Sequence, residues 1–181
     1  MKHAIWIILV AMMLILGCQA QKENTDEAET QEPAVEQPEV APGFDDNPHK
    51  DEVVAFVAEA VVAIETDGTA AFDEFRKHDS AWFEGDRYVF VWGLDGMRYC
   101  YPPDPAGEGK NMTSLVDPAG RPIGQMIIDA ANSEAGHGWV HYQWPRPDGG
   151  EPVWKSTFVQ RVTGPDGQNY IVGSGLYKGT E

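Results

Sequence analysis

Apolar residues recur at three- and four-residue spacing from Val53 through Val54, Val57, Ala60 and Val61 to Ile64. That is the period of a helix with one buried face, so residues 50–66 are predicted to be helical. Asp51 and Glu52 suit the positive end of its dipole, and Asp67-Gly68 stops it. A second, short helix comes next, with Thr69 as its cap and Phe72 and Phe75 on a core-facing side. The period then changes. Residues 87–94 read as a strand rich in aromatic and β-branched side chains, Asp95-Gly96 is a hairpin signal, and 97–101 return as a short strand. Residues 102–109 open with Pro102-Pro103 and are predicted to be a loop. Residues 122–132 read as a helix with Pro122 in its first turn and Ile123, Met126, Ile127 and Ala130 facing inward. Three strands close the chain, 138–144, 153–162 and 169–177, with turns at 145–150 and 164–167. Short links make those three an antiparallel meander. The order of helices, hairpin, helix and meander predicts an α+β domain with one antiparallel sheet and the long N-terminal helix against one side.

The first residues carry another pattern. Lys2 precedes an apolar run, 4–16, that is too short to cross a bilayer as a helix but has the form of an export signal. At its end, Ile15-Leu16-Gly17-Cys18 resembles a bacterial lipoprotein box. The resemblance implies that 1–17 are a signal peptide, that Cys18 carries a lipid, and that the lipid holds the protein to a membrane without a spanning helix. With Gln19 after the cysteine it further implies a periplasm-facing protein of the outer membrane. The plainer reading is an ordinary secretory signal in which Cys18 is incidental.

Composition divides the rest of the chain into two parts. Residues 18–47 are rich in Glu, Gln, Pro, Thr and Ala with one aromatic, Phe44, and so are expected to be a disordered acidic tether. Residues 48–181 are one domain's worth of chain. The net charge is −16, and residues 18–52 hold eleven acids against Lys22 and Lys50. This balance argues against nucleic acid as a partner and against adsorption to anionic lipid. A small anion would need a local cation inside the fold. Cys100 alone remains beyond Cys18, so the domain has no internal disulfide, and Cys100 reads as a small core residue.

Few residues carry chemistry by type and place. Lys155 lies between Trp154 and Ser156 in a strand. It is either a solvent-face lysine that guards an edge or a buried cation in need of a carboxylate. Tyr142 and Trp144 share a strand face and offer an apolar wall with a polar edge, or plain core. Trp92 reads the same way. Arg98 is either an exposed hairpin arginine or a second, bidentate anchor. His49, His78, His137 and His141 have no metal-ligand spacing, so no metal is expected. Gly107-Glu108-Gly109-Lys110 lacks the form of a phosphate loop, and Gly173-Ser174-Gly175 lies inside a strand rather than at a nucleophile elbow. No cofactor and no catalytic constellation can be assembled.

Taken in order, Asp95-Gly96, then D-P-A-G-E-G-K-N at 104–111, D-P-A-G at 117–120, G-W-V-H-Y-Q-W-P-R-P at 138–147, the lone Lys155, and V-G-S-G-L-Y at 172–177 resemble the single Cache domains. These are PAS-like extracellular sensor domains of bacteria. The resemblance covers roughly residues 51–177. It implies a long N-terminal helix on a five- to six-stranded antiparallel sheet and a small organic acid of the acetate, propionate, lactate or pyruvate type as ligand. It also implies a non-catalytic sensor role. Carried over residue by residue, it places ligand contacts at Lys155, Tyr142, Trp144, Trp92, Arg98, Tyr99 and Tyr101. Two departures stand out: Phe158 falls where many members have Tyr, and Tyr101-Pro102-Pro103 replaces the usual His-Pro. With no spanning helix after the anchor and no signalling module, a membrane receptor, kinase or transporter partner is implied. The rival expectation is a non-catalytic envelope interaction module with no small-molecule ligand.

Overall fold

The computed structural model describes residues 40–179. The expected signal segment, the lipidation position Cys18 and the tether as far as residue 39 lie outside the described residues. Helix α1, Lys50–Asp67, buries Val53, Phe56, Val57, Ala60, Val61 and Ile64. Gly68 ends it with a positive φ of 59° and an amide bonded to the Ile64 carbonyl. Helix α2, Ala70–Phe75, comes next. Thr69 does not cap it: its backbone is helical and its hydroxyl makes no capping bond.

The strands are β1 (Phe83–Glu84), β2 (Arg87–Tyr88), β3 (Phe90–Gly93), β4 (Arg98–Cys100), β5 (His137–Arg146), β6 (Gly149–Thr163) and β7 (Asn169–Tyr177). Helix α3, Ile123–Asn132, lies between β4 and β5. β1 and β2 form a small ribbon, and the other five make an antiparallel sheet in the order β4-β3-β7-β6-β5. The expected meander is β5-β6-β7, and β3 joins it at the open side of β7. The expected strand 87–94 is broken at Val89, and β5 and β6 run past the expected turn to within two residues of each other. Their register slips between Trp144 and Arg146, where Pro145 has no amide to offer the ladder.

Strand alternation sends side chains to opposite faces of the sheet, and each face has its own core. Helices α1 and α2 cover one, where Ile64, Phe72 and Phe75 meet Val91, Phe158, Tyr170 and Val172. Helix α3 covers the other, where Ile123, Ile127, Ile128 and Ala131 meet Phe90, Trp92, Val140, Tyr142, Val159 and Ile171. Burying each of these large side chains contributes about 1.5–3 kcal/mol, which is how the fold stands without a disulfide. The inner stripe of α3 is turned from the expected one. Gly124 and Ile128 are buried while Met126 and Ala130 sit at the margin. The cause is a close approach: a Cβ on Gly124 would collide with the Met112 carbonyl, so the helix rests on the loop through its one residue without a side chain.

Residues just ahead of the boundary expected at 48 pack against the domain. Residues 41–47 form turns, and the Phe44 ring packs on Trp139 and His141, 4.7 and 4.6 Å between ring centres.

Candidate ligand-binding cavity

Between the α3 face of the sheet and the segment running from β4 to α3 lies a narrow cavity. The sheet supplies Phe90, Trp92, Tyr142 and Trp144 as walls, the β1-β2 ribbon adds Tyr88, and Ile123 and Ile127 of α3 close it from above. Two residues of the connecting segment, Tyr101 and Leu115, complete the lining with Arg98. Aromatic walls with few polar groups are the usual make-up of a small-molecule site.

Arg98 owes its place to a bulge. Val91 pairs with Cys100 and Trp92 with Arg98, so Tyr99 is an extra residue on β4. The slip sends Arg98 to the Trp92 side, into the cavity, and leaves Tyr99 and Cys100 on the other side against Phe72. Tyr99 therefore does not line this cavity, where it was expected beside Arg98 and Tyr101. The Arg98 side chain is 7% exposed. Its charge centre stands 4.3 Å from the centre of the Tyr101 ring and 5.9 Å from that of Trp92. Among the described residues its Nε meets no hydrogen-bond acceptor and no carboxylate is ion-paired with it. Burial lowers its pKa and Tyr101, Tyr88 and Asp104 oppose that; a guanidinium stays charged regardless.

Lys155 is 1% exposed on an inner strand, opposite Tyr142 of β5 and Tyr177 of β7. A solvent-face edge lysine is therefore excluded. Its Nζ donates to the hydroxyls of Tyr88 at 2.7 Å and Tyr177 at 3.2 Å and sits 4.1 and 4.4 Å from the centres of those rings. Gly175 makes the route possible: a Cβ there would lie 2.9 Å from the Lys155 Cε and 2.6 Å from the Ser156 carbonyl oxygen. Burial pushes the ammonium well below the ordinary lysine value, and the Tyr88 phenol well above its own. Lys155 is not itself a wall of the cavity. Tyr88 stands between, with its backbone carbonyl fixed by the Ser174 hydroxyl at 2.8 Å.

The remaining polar groups hold one another. The Trp144 indole N–H donates to the Tyr101 hydroxyl at 3.0 Å, and the hydroxyls of Tyr142 and Thr157 are 2.8 Å apart. Trp92 is 3% exposed, and its indole N–H has no partner among the described residues.

Two acidic residues clamp the segment that roofs the cavity. Glu108 takes a forked pair of bonds from Arg76 and accepts the Tyr101 amide at 2.7 Å. Asp117, fully buried, accepts the amides of Ala119, Arg121 and Gln143 at 2.9 Å each, as well as the Arg121 guanidinium. Burial raises its pKa, but these bonds outweigh it and the net direction is down. Asp117 opens the D-P-A-G motif, whose local role is therefore to fasten the roof to β5.

Of the residues expected at the site, Arg98, Trp92, Tyr101, Tyr142 and Trp144 converge on the cavity, Lys155 lies one residue behind it, and Tyr99 is elsewhere. Tyr88 was not among those expected. Its signal was available, since 88, 90 and 92 fall on one strand face. The Phe158 departure costs the cavity nothing, because Phe158 packs on Trp139 on the α1 face, 5.4 Å between ring centres. Cys100 is a buried thiol pushed by burial up to about 12, in keeping with a core role. No cluster of metal-ligating side chains occurs among the described residues.

A sheet wall, a covering helix and loop, and a secluded cation define a ligand-sensing α+β domain of the PAS-like kind. The chain belongs to the Cache domain family, whose model matches residues 72–180. This is a family of sensory, non-catalytic domains. The chain is 33% identical over 92 residues to the sensor histidine kinase MctS of Rhizobium johnstonii, covering 51% of this chain and 19% of that protein. It is 30% identical over 96 residues to the methyl-accepting chemotaxis protein McpP of Pseudomonas putida, covering 52% of this chain and 17% of that protein. The match thus spans less than a fifth of either relative. Among solved structures it resembles the periplasmic sensor domain of a chemotaxis protein, with a TM-score of 0.62 and 27% identity over 72% of this chain and 95% of that one. It also resembles a Cache chemosensory domain described for its carboxylic acid recognition, with a TM-score of 0.58 and 25% identity over 71% and 92% of the two chains.

Proposed function

We propose that this domain senses a small organic acid, of the acetate, propionate, lactate or pyruvate type, through the cavity beneath α3. The observation that carries the reading is Arg98: a buried, permanently charged fork with no ion-paired carboxylate, set among aromatic walls. A buried charge without a counter-ion is costly, and a carboxylate in the cavity would supply two charge-assisted bonds to that fork. Lys155 acts one step back. Its bond to the Tyr88 hydroxyl fixes that wall of the cavity, and an anion there favours the charged form of the lysine behind it. The likeness to a carboxylic-acid-recognising Cache domain supports the same ligand class.

The setting is inferred from the motif that ends at Cys18 and from the relatives. A lipid on Cys18 holds the protein to the envelope, facing the periplasm, at the outer membrane. Residues 18–39 serve as the tether. Occupancy is read by a separate membrane receptor, kinase or transporter, as the likeness to sensor regions of a histidine kinase and a chemoreceptor suggests. Isothermal titration of the full chain in detergent against the four acids tests the ligand. Saturable heat with at least one acid, lost in Arg98→Gln, is expected; no heat with any of them, with the alternative of a pure interaction module then standing, is the contrary result.

A further inference from the structure

Among the described residues, two buried donors in this cavity lack acceptors, and only one is explained by a carboxylate. Arg98 presents a fork that matches both oxygens of a carboxylate. Trp92 is its cross-strand partner, 3% exposed, with an indole N–H that no described residue accepts. An unmade bond from a buried donor forfeits its solvation without return, so a wall residue of this kind calls for an acceptor from the ligand. The other polar groups of the lining lean the same way. The Tyr101 oxygen already accepts from Trp144, and the Tyr88 oxygen already accepts from Lys155. The Tyr101 phenol therefore has its proton to offer, whereas that of Tyr88 faces the Tyr177 oxygen at 3.4 Å, because the Tyr177 hydroxyl itself donates to the Pro145 carbonyl. No carboxylate or amide side chain lines the cavity to receive a proton from a ligand.

We propose that Trp92 makes the cavity selective for a short acid with an acceptor oxygen on carbon 2, a 2-oxo monocarboxylate in preference to its unsubstituted counterpart. The proposal rests on the carboxylate reading above and deepens it. Arg98 takes the carboxylate and the Trp92 N–H takes the neighbouring oxygen. A 2-oxo acid brings acceptors only, which is what a donor-rich lining matches. A 2-hydroxy acid brings a donor too and has to share a phenol oxygen. A 2-amino acid places a cation beside Arg98 with no lining carboxylate to neutralise it, and is rejected.

The three-carbon series isolates that position: propionate, lactate, pyruvate and alanine, titrated into the full chain in detergent. Pyruvate is expected to bind at least tenfold tighter than propionate, with lactate between and no measurable heat from alanine. In Trp92→Phe the ratio of pyruvate to propionate affinity falls to near one. Propionate binding as tightly as pyruvate in the unaltered protein, or alanine binding as well as either, overturns the proposal while leaving the carboxylate reading intact. A uniform loss for all acids in Trp92→Phe also overturns it. Silence from all four removes both. The unaltered protein decides the question alone if the variant does not fold.

Discussion

Arg98 and Lys155 are both buried basic side chains on one face of one sheet, yet their environments assign them different work. Arg98 has aromatic faces and an unmet Nε; Lys155 has two phenol oxygens. Arg98→Gln should therefore cost ligand affinity, by about 1.5–3 kcal/mol for a lost charge-assisted bond, or roughly tenfold to a hundredfold in Kd. The melting temperature of the ligand-free protein should not fall, because an uncompensated buried charge goes with it. Unchanged affinity in titration would move the anchor elsewhere. For Lys155 the readout is pH. Its folded pKa lies below the unfolded value of about 10.4. Between the two, the unfolded chain holds a proton that the folded chain has released, so stability rises with pH in that window. One proton gives at most about 1.4 kcal/mol per pH unit. Lys155→Met should remove this rise. Urea denaturation at pH 7, 8.5 and 10 should then show the unaltered protein gaining on the variant as pH increases. Parallel curves would mean that the lysine keeps an ordinary pKa.

The loops and the ends of strands, rather than their middles, position these side chains. The D-P-A-G turn was legible as a motif, but its purpose was not, because Asp117 acts on Gln143, a residue on another element. Asp117→Ala should cost about 2–4 kcal/mol in chemical denaturation, since it removes an ion pair and strands a buried amide. Hydrogen exchange at Gln143 should accelerate at the same time; an unaltered rate there would show that water replaces the carboxylate. The β4 bulge is the opposite case. Arg98-Tyr99-Cys100 reads as simple alternation, and alternation puts Arg98 and Cys100 on one face. The slip against β3 separates them, and nothing local in the three residues announces it. The turned stripe of α3 has a similar origin, since Gly124 matters only because the Met112 carbonyl lies against it.

For the molecule as a whole, occupancy and folding are linked. A ligand held at a hundred times its Kd adds about 2.7 kcal/mol to stability, which for a domain of this size is roughly 5–10 °C in melting temperature. Scanning fluorimetry with the bound acid against buffer checks this, and no shift at saturation would deny that the cavity belongs to the folded state's binding site. The proposed anchor has its own test. Cys18→Ser should move the protein from the membrane fraction to the soluble fraction of the periplasm, and a variant that stays on the membrane would rule out the lipid as the tie.

Much of this architecture was readable from the order of residues, because it arises from local periods. A 3.6-residue stripe makes α1, a two-residue alternation makes β5, β6 and β7, and Gly and Pro mark where each stops. Charge argued against nucleic acid, and the ordered motifs pointed to the family. The aromatic walls at Tyr142 and Trp144 were likewise visible, since parity along β5 puts the two on one face. The order of residues left open which cation meets the cavity. Lys155 drew notice as a lone charge in an apolar strand, but whether it reaches the cavity depends on Tyr88, sixty-seven positions away in the chain and hydrogen-bonded to it. Arg98 enters the cavity by a register slip between two strands, and Trp92 is left without an acceptor by what its neighbours across the sheet do not offer. Periodicity is a property of neighbours along the chain; the pairing of charges, donors and acceptors is a property of neighbours in space, and it is settled only when the strands close on one another.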